Sequence, residues 1–215
     1  IHGVRLAKAR RFESAAPMIP DALFDPTHYS TVRLPVLEAS TLPAWCYTSD
    51  AFFERERERA FAQGWQFVGR TDEVSVGGYL SVETVGGPIL LLKDTDGTLR
   101  AFANTCRHRG ARLTEGSDTC ARLVCPYHAW SYRLDGSLAG APGMDATTGF
   151  DPETHGLTPI RMAVWAGFVF VCYSQTTPDL QTYFGDMTQR LGSHRFEDFV
   201  CVRKREYDVA ADWKL

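Results

Sequence analysis

The sequence predicts a mostly β fold, a domain of short antiparallel strands with flanking helices. Three observations carry this. Between Trp65 and Tyr173 the aliphatic and aromatic residues come in short runs of strand length. Asp96-Gly97 and Asp135-Gly136 each lie between two such runs, and Asp-Gly supplies the positive φ that a tight hairpin turn requires. Residues 1–44 contain Pro17, Pro20, Pro26, Pro35 and Pro43, too many to allow a long helix.

Taken in order, the proline-rich stretch reads as an extended N-terminal arm over 1–48. A helix follows, capped by Ser49 or Asp50, with Phe52, Phe53, Ala60 and Phe61 as its apolar stripe and Gly64 as its stop. The alternating charges of Glu54–Arg59 read as a solvated helix face with favourable pairs. Strands are expected at Trp65–Gly69, Tyr79–Val85, Pro88–Lys93 and Leu99–Phe102. Trp130–Leu134 with Ser137–Ala139, and Ile160–Trp165 with Gly167–Tyr173, read as two further antiparallel pairs. The helix and the β domain together occupy 49–178. Over 179–215, Asp179–Leu191 reads as a linker helix and Val200–Val209 as a strand leaving the domain.

Composition excludes several function classes. The 215 residues, 44% hydrophobic, suffice for one well-buried domain with flanking segments. The net charge is −3, with acidic and basic residues interleaved, so no basic face for nucleic acid is expected. No apolar run approaches ~20 residues, so no membrane span is expected. Arg5–Ala16 resembles a transit peptide weakly; because the chain starts at Ile1, a processed or truncated N-terminus is the preferred reading. The compartment expected is the reducing cytoplasm, with Cys46, Cys120, Cys172 and Cys201 as free thiols in or near the core.

The chemistry sits in two halves, Cys106-Arg107-His108-Arg109-Gly110 and Cys125-Pro126-Tyr127-His128-Ala129-Trp130. Each half supplies one thiolate and one imidazole on a loop after a strand-like segment. A Rieske [2Fe–2S] cluster needs two sulfur ligands on one iron and two nitrogen ligands on the other. Two loops that each donate one of each kind meet that need. A Cys2His2 zinc site is the competing metal reading, but zinc fingers usually keep both cysteines in one half and both histidines in the other. The expected cluster ligands are therefore Cys106, His108, Cys125 and His128.

Cys106-x-His108, sixteen residues, then Cys125-x-x-His128 resembles the Rieske signature. The wider text, Cys106–Arg112 and Cys125–Leu138, is similar to the α subunit of Rieske non-haem iron oxygenases of the aromatic-ring-hydroxylating type, from about Leu42 to Leu215. The resemblance implies a mostly β Rieske domain followed by the start of an α+β catalytic domain, on which the 1–48 arm would pack. It implies a mononuclear Fe(II) held in that domain by two histidines and a carboxylate. It also implies electrons from NAD(P)H through a ferredoxin or flavin reductase, a homo-trimer or α3β3 assembly, and a small-molecule substrate hydroxylated or demethylated with O2. Aromatic acids and quaternary ammonium compounds both remain open as substrates.

High-potential respiratory Rieske proteins carry two bracing cysteines, at positions that would be Ala111 and Tyr127 here, and a serine where Trp130 stands. Without these the cluster is expected near the low end of the range, about −150 mV. Arg107, Arg109 and Arg112 read either as charge compensation and a dock for an acidic donor or as ordinary salt bridges. Tyr127 and Trp130 are expected to pack around the cluster, and His155 and His194 to be structural. The chain ends at Asp212-Trp213-Lys214-Leu215, where the family's Asn-Trp-Lys stretch precedes the iron ligands, with Asp212 in place of the asparagine. His2, His28, His155 and His194 form no helical His pair, so no mononuclear site is assigned. Two function classes follow: the Rieske portion of a terminal oxygenase, which is favoured, and a stand-alone Rieske-type electron-transfer protein.

Overall fold

Four consecutive residues, Ile89, Leu90, Leu91 and Leu92, have no solvent exposure. Strand side chains alternate in direction, so such a run needs apolar partners on both faces. The structure, a computed structural model, describes residues 20–205 and 207–215. The Arg5–Ala16 segment, His2 and Pro17 lie outside the described residues. Phe61–Arg205 form one unit, and 20–60 with 207–215 form another.

In the first unit the strands are β1 (Gln66–Arg70), β2 (Gly78–Thr84), β3 (Gly87–Lys93), β4 (Leu99–Ala103), β5 (Ser117–Thr119), β6 (Leu123–Val124), β7 (Ser131–Tyr132), β8 (Leu138–Gly140), β9 (Arg161–Trp165) and β10 (Phe168–Cys172). They form three antiparallel sheets, ordered β1-β10-β9, β4-β3-β2-β5 and β6-β7-β8. The mostly β prediction is met, and both Asp-Gly turns carry the positive φ, 82° at Gly97 and 87° at Gly136.

β3 divides two cores. Ile89 and Leu91 pack with Val68, Val82, Val169 and Val171. Leu90 and Leu92 face the other way, into a core holding Cys106, Cys125, Trp130 and Tyr132. The candidate metal-binding side chains thus stand on the far side of a fully apolar strand.

Two expectations fail. The single helix over Asp179–Leu191 is two short ones, Leu180–Phe184 and Met187–Leu191. Gly185 between them has φ 56°, a left-handed turn that ends the first helix. Val200–Val209 is not a strand: among the described residues it has no ladder partner, and the Cys201 N–H donates instead to Asp72 Oδ2 at 2.9 Å. Without a neighbouring strand, β-branched residues alone cannot make a sheet. The strands β5 and β6 were not expected; with two or three residues each they carry no pattern of their own.

In the second unit the prolines confine the arm to short pieces, a helix at Pro20–Leu23 and a 3-10 segment at Pro26–Arg33. The helix after Ser49 runs over Asp50–Glu56, and the Ser49 Oγ caps it by accepting the Phe52 N–H at 3.3 Å. Arg57 pairs with Glu54 along it. Asp212 accepts the Lys214 ammonium at 2.7 Å, and Lys214 also donates to both Glu56 oxygens at 2.9 Å. The departure from asparagine therefore places one ammonium between two carboxylates.

Candidate metal centre

β4 leads into the first loop, which starts at Cys106. The second loop, starting at Cys125, is the tip of the β6–β7 hairpin. Their backbones close alike. The Cys106 N–H donates to the Ala111 carbonyl (2.7 Å) and the Gly110 N–H to the Cys106 carbonyl (2.9 Å). In the second loop the Cys125 N–H donates to the Trp130 carbonyl (2.8 Å) and the Ala129 N–H to the Cys125 carbonyl (3.1 Å). The fourth residue after each cysteine is left-handed, Gly110 at φ 72° and Ala129 at φ 55°.

All four expected residues come together at this end of the sheet. Cys106 and Cys125 are buried in one core as free thiols. The His108 and His128 rings meet edge to face, 4.8 Å between centroids. His108 Nδ1 is buried with no hydrogen-bond partner. A buried ring nitrogen without a partner is costly unless something binds it, and a metal does so. Burial and the neighbouring His128 and Arg109 charges hold the His108 imidazolium below its ordinary pKa, favouring the neutral ring that binds metal. Among the described residues no three His, Cys, Asp or Glu side chains converge to hold one metal ion. The donor set and its burial fit a Rieske cluster.

Three residues that sequence reasoning missed shape the site. Tyr132, fully buried, lies with its hydroxyl 3.2 Å from the Cys106 Sγ and accepts the Arg107 N–H at 2.9 Å. Burial and the sulfur beside it push its pKa up, so it stays a phenol. A thiolate has no proton, so against it Tyr132 is the donor. A low potential was expected because Trp130 stands in place of a serine; Tyr132 nonetheless sets a hydroxyl beside the Cys106 sulfur, and its signal was a tyrosine four residues after His128. Asn104, also fully buried, donates to Ser81 Oγ (2.9 Å) and the Thr114 carbonyl (2.8 Å) and accepts the Leu113 N–H (3.1 Å). It thereby stitches the base of the first loop; an asparagine at the end of an apolar strand marked it. The third is Ala129, which had no sequence signal.

The flanks sort differently from expectation. Trp130 is buried, but Tyr127 is 70% exposed, because it rides the outward edge of the hairpin tip. Arg112 pairs with Glu83 (2.5 Å) and Glu115 (3.7 Å), an ordinary salt bridge. Arg107 and Arg109 are exposed and form no ion pair among the described residues. His155 packs against Phe150 and Trp130, and His194 stacks on Phe196. No helix among the described residues is long and apolar enough to cross a membrane.

Residues 64–158 match the family described as the Rieske [2Fe-2S] domain. Over 213 residues the chain is 31% identical to a chloroplastic choline monooxygenase of Spinacia oleracea, covering 96% of this chain and 48% of that protein. It is 36% identical to the glycine betaine monooxygenase oxygenase subunit of Chromohalobacter salexigens over 177 residues, 81% of this chain and 40% of that one. The apo crystal structure of a quaternary ammonium Rieske monooxygenase superposes with a TM-score of 0.69 at 32% identity, over 83% of this chain and 50% of that chain. Naphthalene 1,2-dioxygenase from Rhodococcus sp. gives 0.66 at 27% identity, over 70% and 36%. The chain spans about half the length, or less, of these relatives. With its two Cys–His loops inside the matched domain and its likeness to oxygenase subunits extending beyond it, the chain belongs to the Rieske non-haem iron oxygenase family.

Proposed function

We propose that Cys106 and Cys125 hold one iron of the [2Fe–2S] cluster and His108 and His128 the other. The observation that carries this is the pair of matched loops, each presenting one cysteine and one histidine, with His108 Nδ1 buried and unpartnered. When bound, the cluster supplies a one-electron centre. The chain's residues do the rest. Leu90, Leu92 and Trp130 keep water from the cysteine side. Tyr132 donates to the Cys106 sulfur, and Arg107 and Arg109 offset negative charge at the loop. His128, exposed, presents the surface through which an electron leaves.

The whole protein is proposed to be the terminal oxygenase component of such a system. NAD(P)H electrons arrive through a ferredoxin or flavin reductase and pass to a mononuclear Fe(II) outside this chain. A trimer would let the exposed tip reach a neighbouring subunit; one related quaternary ammonium monooxygenase is described with inter-subunit electron transfer. In this reading 1–48 is an arm packing on the catalytic domain, 49–178 the helix and Rieske domain, and 179–215 the exit into the catalytic domain. Relatives named for choline, glycine betaine and carnitine favour a quaternary ammonium substrate over an aromatic hydrocarbon. The free thiols suit the cytoplasm.

The test supplies the protein that contains this chain and its catalytic domain with reductase, NAD(P)H, oxygen, and choline, glycine betaine, carnitine or naphthalene. Oxidation of an ammonium substrate coupled to NAD(P)H use is expected, while residues 1–215 alone should accept an electron and oxidise nothing. Turnover of naphthalene alone, or product from residues 1–215 alone, would contradict the reading.

A further inference from the structure

Trp130, 2% exposed, lies flat against His108, with centroids 4.9 Å apart and planes 7° apart. Its edges meet Phe150 at 5.6 Å and His155 at 5.9 Å, and those two rings are 4.7 Å from each other. Both are half-buried on the segment joining β8 to β9. His155 is held in place by its Nδ1, 2.7 Å from the Asp151 carbonyl oxygen. Continuous ring contact therefore leads from a candidate ligand to the surface of residues 141–156. That surface exposes Asp145, Asp151 and Glu153 and contains no lysine or arginine. It is opposite in sign to the first-loop surface, where Arg107 and Arg109 form no ion pair among the described residues.

We infer that this ring path is a second electron port: the acidic 141–156 surface receives a one-electron donor protein with a basic face, and the electron tunnels by way of Phe150 or His155 and Trp130 to His108. The inference rests on the cluster assignment above. A relay must accept from one partner and deliver to another. If the acceptor covers the tip at Tyr127 and His128, the donor needs a route that does not cross that surface. One electron leaves the donor and one ferric iron of the cluster becomes ferrous. The three aromatic side chains stay closed-shell, and no proton moves.

The experiment runs the path in reverse on the cluster-loaded chain, after iron and sulfide content has been measured. A preparation without iron and sulfide sinks the cluster assignment itself; a loaded one tests the port alone. The dithionite-reduced protein is oxidised in stopped flow by ferricytochrome c, a basic one-electron acceptor, or by ferricyanide, an anionic one. Trp130 is left intact because its buried indole packs in the core that holds Cys106 and Cys125. His155→Leu and Phe150→Leu test the path. The surface variant Asp145→Asn/Glu153→Gln tests docking without touching the core. Each should slow the cytochrome by about fivefold or more at low salt, and the docking variant's loss should vanish at high salt. The midpoint potential and the ferricyanide rate should not change. Unchanged cytochrome rates in both classes of variant, or equal slowing of both oxidants, would overturn the second port.

Discussion

Gly110 and Ala129 occupy the same place in two copies of one loop. Each is the fourth residue after a cysteine, each donates its N–H to that cysteine's carbonyl, and each is left-handed. A β-carbon there costs about 1–2 kcal/mol. A Cβ on Gly110 would meet nothing within 4 Å, so strain is its whole cost. Gly110→Ala should lower unfolding stability by about 1–2 kcal/mol. Ala129→Gly should shift it by less than about 1 kcal/mol, because relieved strain is offset by the freer unfolded chain. Denaturant unfolding of both variants checks this; equal, large losses would mean that the loops are not equivalent.

Tyr132→Phe removes the hydroxyl beside the Cys106 sulfur. A donor there favours the more negative, reduced cluster, so the potential should fall. One ordinary hydrogen bond, about 1 kcal/mol, corresponds to about 40 mV for one electron. Voltammetry on the cluster-loaded variant reads this. A potential that holds or rises would show that the hydroxyl does not act on the cluster.

Asn104→Ala leaves the Leu113 N–H and the Ser81 hydroxyl without their buried partner. The expected loss is about 2–4 kcal/mol. Asn104→Asp, which can still accept the Leu113 N–H, should retain part of it. Wild-type stability in the alanine variant, measured by denaturant unfolding, would show that the stitch contributes nothing.

Much of this was legible because the motif is local. Each half lies within a few residues, and the Asp-Gly turns and apolar runs gave the strands around them. What was hidden depends on partners distant in sequence. Val200–Val209 carries strand-forming valines and a tyrosine but, among the described residues, has no neighbouring strand to pair with. Ser117–Thr119 looks like a loop and is a strand because β2 is beside it. Tyr127 and Tyr132 are both tyrosines near His128, and only the hairpin's facing sends one outward and the other to the sulfur.

The turn carboxylates set an acid limit. Asp135 is held below its ordinary pKa by the Ser137 hydroxyl and N–H, and Asp96 by the Thr98 N–H. A carboxyl with a folded pKa below its unfolded one stabilises fully above the unfolded value and loses that as pH falls through the folded value. Stability should therefore decline as pH drops below about 4. Asp135→Asn should flatten that decline, as read by unfolding at a series of pH values; an unchanged slope would remove Asp135 from the account.

The central claim is that Cys106 and Cys125 ligate one iron and His108 and His128 the other. Mössbauer spectroscopy of the oxidised, iron-57-loaded protein tests it most directly. The account predicts two inequivalent ferric sites in equal amounts, one all-sulfur and one with mixed nitrogen and sulfur ligands, with two sulfides per chain. A single kind of iron site, or a chain that carries zinc and no sulfide, would contradict it.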